Sequence, residues 1–317
     1  MEVYISSVRE VLSVPTIQIQ KRRVWAGTAK EGEAAVRRRR ALKRVDRELE
    51  NGNYKAALSL VKQLKAHPAG LLRGFGAAAP KVPRSVSSLN ELKLTGEIEI
   101  SSLQLVVDAI LRSIKCSLEF QLQEEETEVS RQDFGQAMDV ESHNSIYEDH
   151  LMCMQHEAGH FLVGYMLGVL PRRYKVPSVK DLLQDKFAGG KVEFVGFEFL
   201  RDTLYKFSCV ILGGLAAEHL LFGYSELLHS DVQKLKTVLK WLGFTENEVD
   251  SETRRAAKAA VLILSRYSEA RFRLAEAMAL GKSVGFCLAN AVKISVHIDS
   301  HSSNAWCNLL GEPRVVD

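Results

Sequence analysis

Apolar residues recur at helical spacing along most of the chain. Leu42, Val45 and Leu49 stand at i, i+3 and i+7 within residues 31–50, and Leu58, Val61 and Leu64 repeat the pattern within 54–65. Both stretches predict amphipathic helices. Asn51-Gly52-Asn53 between them predicts a turn, and so a helical hairpin. Leu103, Val106, Val107, Ile110 and Ile114 predict a further helix over 97–122. From 150 to 168 the chain is apolar on nearly every face, the pattern of a buried helix. Residues 203–222 read the same way, and 231–243 and 252–280 predict more helices.

Two stretches break this period. Residues 171–190 carry Pro171, Pro177, Gly189 and Gly190 and predict an irregular connection. Residues 191–199, KVEFVGFEF, are rich in Val and Phe and predict a strand. The expected fold is therefore mainly α, with a short β element. Residues 66–96 hold Pro68, Pro80, Pro83 and the run Ala77-Ala78-Ala79, which predicts a linker. Residues 123–149 are polar and aperiodic and predict a joint, and 281–317 have no clear period. The expected organisation is a helical N-terminal region over 31–122, the joint, a domain over 150–280 and a tail.

Composition adds bounds. At 317 residues, 46% hydrophobic and 26% charged, the chain is globular, with room for about two domains. Five cysteines without a CxxC pair argue against a disulfide scaffold and for a reducing compartment. The net charge of +3 hides an asymmetry. Residues 1–118 carry 21 Lys and Arg against 11 Asp and Glu, a net of +10, whereas 119–150 carry one Arg against 10 acids, a net of −9. Residues 1–30 combine Ser6, Ser7, Ser13 and Thr16 with five basic and two acidic side chains, a balance that suits an organelle transit peptide. The run Arg37 to Arg40 has no interleaved aromatic residues to stack on bases, so it reads as a solvated helix face and no nucleic-acid partner is expected. The apolar stretch Phe207–Phe222 contains Glu218 and His219 and reads as a buried helix rather than a membrane span. Gly281-Lys282-Ser283 has Glu276 where a phosphate loop needs its first glycine, so ATP binding by that route is not expected.

The chemistry lies in His156-Glu157-Ala158-Gly159-His160. On a helix, residues four apart share one face one turn apart, so both imidazoles can reach one metal ion. Glu157 projects beside it, where it can exchange a proton with water. Two imidazoles and a carboxylate suit zinc and leave a fourth position for water. A charged Glu157 inside so apolar a helix is costly unless a partner or a metal lies near. The third ligand must come from elsewhere, and Glu218, His219, His229 and Asp231 are the downstream candidates.

His156-Glu157-Ala158-Gly159-His160, followed by Leu167-Gly168, then Leu212-Gly213-Gly214-Leu215-Ala216-Ala217-Glu218, Phe222-Gly223 and Ser230-Asp231, resembles the peptidase domain of the FtsH family of ATP-dependent zinc metalloproteases. The resemblance spans roughly 150–280. It implies a helical zincin-type domain, Zn2+ held by His156, His160 and Asp231, and Glu157 as the catalytic carboxylate. It leaves Glu218 as an alternative ligand or as a hydrogen-bond partner of a ligand imidazole. The chain departs from the family at Leu215, where an arginine is usual, at His219, where a second glutamate is usual, and at Leu227-Leu228-His229-Ser230, which lacks the usual Thr-Gly-Ala-Ser.

The front half has neither the length nor the phosphate loop of the family's ATPase module. The chain looks more like the plant, chloroplast-type FtsH-like proteins without that module, with the mitochondrion as the alternative destination. The resemblance thus implies a metalloendopeptidase acting on polypeptides, as a homo-oligomer or beside an FtsH-type AAA+ partner. The alternative is a non-proteolytic, chaperone-like or assembly partner of such complexes. Val192 to Phe199 could pair with an extended peptide or be a plain core strand. His297, Asp299 and His301 form an HxDxH in the tail, and Cys153 lies close to the motif.

Overall fold

The computed structural model describes residues 33–66, 72, 74–79, 100–126, 141–185, 188–195, 201–289 and 291. The expected transit peptide over 1–30 and the tail histidines 297 and 301 lie outside them. The described chain is mainly helical: α1 (Glu33–Glu50), α2 (Tyr54–Ala66), α3 (Ile100–Glu126), α4 (Glu141–Met166), β1 (Pro171–Lys175), α5 (Val179–Gln184), β2 (Lys191–Phe194), α6 (Arg201–Phe222), α7 (Leu228–Trp241), α8 (Glu246–Arg266) and α9 (Ser268–Ala279). The strands form one antiparallel two-stranded sheet, pairing Tyr174 with Val192 and Lys175 with Lys191.

α4 and α6 are the centre. Phe161, Leu162, Tyr165 and Met166 of α4 and Leu212, Leu215, Ala216 and Ala217 of α6 have no exposed surface. Burying a large apolar side chain contributes roughly 1.5–3 kcal/mol. The two helices touch backbone to backbone, and a Cβ on Gly159 would lie 2.3 Å from the carbonyl oxygen of Gly213. α6 is the one helix among the described residues long and apolar enough to cross a membrane, but most of it is buried inside the protein. α4 stops where Gly168, at φ +78°, takes the left-handed conformation that glycine adopts without strain. Its last carbonyls are then met from outside the helix: Gly76 N–H donates to Tyr165 O at 2.9 Å and Ala78 N–H to Met166 O at 2.9 Å.

These two bonds correct the linker expectation over 74–79, whereas 80–96 lie outside the described residues. Leu72, Phe75 and Ala78 are core residues, and Phe75 packs on Tyr165 with ring centroids 5.7 Å apart. Residues rich in Ala and Gly read as linker because small side chains carry little hydrophobic signal, yet they let backbone approach the end of α4. The joint is corrected as well. Residues 123–126 continue α3 and 141–149 begin α4, so helix extends into both of its ends. Runs of acidic residues such as Glu124-Glu125-Glu126 leave no apolar period to read.

The connection 171–190 is more regular than its Pro and Gly content predicts. Pro171 opens β1, a position that needs no ladder N–H. Ser178 and Asp181 form a capping box that starts α5. The run predicted over 252–280 is two helices, broken at Tyr267. Residues 281–289 leave the expected tail and join the core: 284–289 are helical, Cys287 and Leu288 are buried, and Asp46 of α1 accepts from Gly285 N–H at 2.6 Å and Ser283 Oγ at 2.7 Å. One cluster of buried side chains runs from Leu42 of α1 to Ala291.

Candidate metal centre

His156 and His160 lie one turn apart on α4 and face α6 and α7. His160 Nδ1–H donates to the Val210 carbonyl of α6 at 2.7 Å. His156 Nδ1–H donates to the Glu218 carboxylate, also of α6. Each bond fixes a tautomer and leaves Nε2 bare and pointing inward. The two Nε2 atoms are 2.8 Å apart. Asp231, in the first turn of α7, sets its Oδ2 2.9 Å from His160 Nε2 and 3.1 Å from His156 Nε2. All three residues are buried, and this group could hold a metal ion.

The chemistry of the donors argues for a cation. With both Nδ1 atoms protonated, three lone-pair-bearing atoms face one another at 2.8–3.1 Å, with no hydrogen between them. That is repulsive until a proton or a metal ion enters. In the metal-free chain the proton is the answer. Burial alone would lower the pKa of His156, but its bonds to Asp231 and Glu218 outweigh that and raise it to about 10. Asp231 is held well below the usual carboxylate range: burial pushes it up, while the charge of His160 and the bonds from both imidazoles pull it down further. Metal and proton therefore compete for His156.

Glu157 points beside this triangle. It is buried, and its Oε2 has no hydrogen-bond partner. Burial raises its pKa, opposed by the neighbouring histidines. Gly190 lies against it, and a Cβ there would fall 2.6 Å from Glu157 Oε1. Gly214 does the same for His156, since a Cβ would lie 2.5 Å from its Cε1 and Nε2. Gly213 and Gly214 thus serve different ends, one close helix packing and the other room for the His156 ring.

The other candidates are placed elsewhere. Glu218 has no exposed surface and is not one of the converging donors. Its Oε1 takes the His156 proton, and its Oε2 accepts from Glu226 N–H at 2.9 Å and Leu227 N–H at 3.4 Å. It therefore ties α6 to the loop that precedes α7. His219 turns away, with Nδ1 3.3 Å from the Gly223 carbonyl, and burial lowers its pKa. The side chain of His229 lies outside the described residues. Cys153 is buried, and burial raises its thiol to about 12, which suits a packed residue rather than a nucleophile.

The group opens onto a cleft of about 670 Å³. β2 with Gly189 and Gly190 forms one wall, and Phe207, Val210 and Ile211 of α6 form another. Lys234 stands at the α7 side, its Nζ 3.0 Å from Asp231 Oδ1. Motif reading missed Lys234, the Val210 carbonyl and Gly190. Only Lys234 left a sequence signal, three residues after Asp231 on a helix. No family model, curated protein or solved structure matches this chain.

Proposed function

We propose that the chain is a zinc metalloendopeptidase. The observation that carries this reading is the buried triangle of two bare imidazole nitrogens and a carboxylate oxygen, with an unpartnered buried glutamate at its side and a cleft in front. The donors fit the ion: tetrahedral zinc bonds of 2.0–2.1 Å set ligand atoms about 3.3 Å apart, so each donor moves outward by only a few tenths of an ångström. When bound, zinc supplies Lewis acidity toward a carbonyl oxygen and toward water.

The rest falls to the chain's own residues. His156, His160 and Asp231 would hold the ion. Glu157, desolvated and without a hydrogen bond on Oε2, takes a proton from the attacking water and returns it to the leaving amine. The raised pKa of Glu157 suits both transfers. Among the described residues β2 pairs only with β1 and lines the cleft, where an extended peptide could add as a strand. Polypeptides are the substrate class this supports.

The order of motifs further supports an FtsH-like zincin domain without its own motor, working on unfolded or delivered chains, alone in a homo-oligomer or beside an AAA+ partner. The basic, serine-containing residues 1–30 support an organelle as destination, and the resemblance to chloroplast-type FtsH-like proteins favours the chloroplast over the mitochondrion. The test is zinc content and casein cleavage by purified protein. Wild type should bind one zinc and cleave. Glu157→Gln should keep the zinc and lose cleavage by about 10²–10⁴-fold. Equal cleavage by both proteins would sink the mechanism. Zinc without cleavage in either would favour the assembly-partner alternative.

A further inference from the structure

We infer that Lys234 is a positioning residue of the metal centre, deciding which oxygen of Asp231 is offered to the ion; the inference rests on the zinc reading above. Each of the three donors has a second polar atom that must be kept from the ion. For His156 and His160 that atom is Nδ1, and α6 holds both, through Glu218 and through the Val210 carbonyl. For Asp231 it is Oδ1, and α6 does not reach it. The partner of Oδ1 is Lys234 Nζ at 3.0 Å, one turn along α7 itself. Oδ2 is left to face both Nε2 atoms, at 2.9 and 3.1 Å.

A carboxylate with a free Oδ1 can turn and give both oxygens to a metal. An ammonium on Oδ1 opposes that turn, because the ion and the ammonium would then compete for one lone pair. Lys234 is suited to nothing structural. Its side chain is 60% exposed, so the ion pair adds little to the fold, and it lines the cleft rather than the core.

The experiment measures zinc affinity of the full chain by competition with a chromophoric chelator, for wild type, Lys234→Met, Lys234→Arg and Asp231→Ala. Lys234→Met should bind zinc about 10-fold more tightly, the scale on which outer-shell partners act, because Oδ1 is freed to join the ion and the competing positive charge is gone. Lys234→Arg, which can still donate to Oδ1, should restore wild-type affinity. The metal-free wild type, Lys234→Met and Lys234→Arg proteins should melt together, since that change is at the surface. Cobalt-loaded Lys234→Met should show weaker visible bands than wild type, because a second carboxylate oxygen raises the coordination number. Lys234→Met with wild-type affinity and an unchanged cobalt spectrum overturns this inference alone. Equal affinity of wild type and Asp231→Ala overturns the metal centre as well, and so separates the two failures.

Discussion

The histidine side of the site, built by α4 and α6, is buried and packed backbone on backbone. The aspartate side, built by α7, meets the site at its first turn and carries Lys234 out into water. On the first side two glycines, Gly159 and Gly213, bring the helices into contact, and a third, Gly214, makes room for an imidazole. On the second side Asp231 depends on the loop that Glu218 ties down through two N–H groups. Two of the converging donors are therefore set by the core itself. The third is set by a tether, which is the more adjustable arrangement. Since the fold around the histidines is needed whether or not metal is present, changes there should act on stability, whereas changes on the α7 side should act on the metal alone.

The largest effect should come from Gly159→Val, which drives a branched side chain into the Gly213 carbonyl. Overpacking typically costs 1–3 kcal/mol, and a clash with backbone lies at or above about 3 kcal/mol. Urea denaturation of the metal-free protein measures it, and a loss below about 1 kcal/mol would show that the two helices can separate cheaply. Next is Gly214→Ala. Its methyl meets the His156 ring, so zinc should be lost at a stability cost smaller than that of Gly159→Val. Glu218→Ala sharpens the comparison further, because it breaks the tether between the two sides. It frees His156 Nδ1 and the Glu226 and Leu227 N–H groups together, and zinc should bind about 10–100-fold more weakly. If Glu218→Gln, which keeps an acceptor, binds as weakly as Glu218→Ala, the charge matters rather than the tether.

The same contrast separates what could be read from the sequence from what could not. The helix carrying His156 and His160 is apolar on all faces around the motif, and the periods of α1, α2, α3 and α6 are unbroken. These elements were legible because burial dictates their residue types. Asp231 was reachable only through the order of surrounding motifs, since nothing in a single exposed-looking Ser230-Asp231 pair distinguishes a ligand from a surface acid. Gly190 read only as one of the breakers of 171–190, with nothing to tie it to Glu157. The Val210 carbonyl was invisible, because it acts through its backbone and leaves no mark on residue type. Residues 74–79 read as linker for a related reason: Gly76 and Ala78 hold the end of α4 by backbone bonds, and a strap of this kind shares its Ala and Gly composition with a linker.

The smallest effect concerns protons, and it pairs His156 of α4 with His219 of α6. In the metal-free chain His156 titrates near 10 when folded and near 6.5 when unfolded. The folded state holds more protons between those values, so this histidine's contribution to stability is complete below about pH 6.5 and is lost as pH rises toward 10. His219 has the opposite sign. Burial lowers its folded pKa, so below about 6.5 the unfolded state takes the proton first and stability falls with falling pH. His150 is lowered by burial too and adds to that slope. Asp231 contributes nothing in this window, because its depressed pKa costs stability only below the usual carboxylate range. The metal-free protein should therefore be most stable near pH 6.5–7, measured as Tm between pH 5 and 9. His219→Gln should flatten the acid limb and leave the alkaline limb in place. Saturating zinc should do the reverse, because binding requires His156 without its proton and so removes the alkaline decline while leaving His219 untouched. A metal-free chain whose Tm is flat from pH 7 to 9 would mean that the proton shared among His156, Glu218 and Asp231 is absent, and with it the repulsion that makes the triangle a cation site.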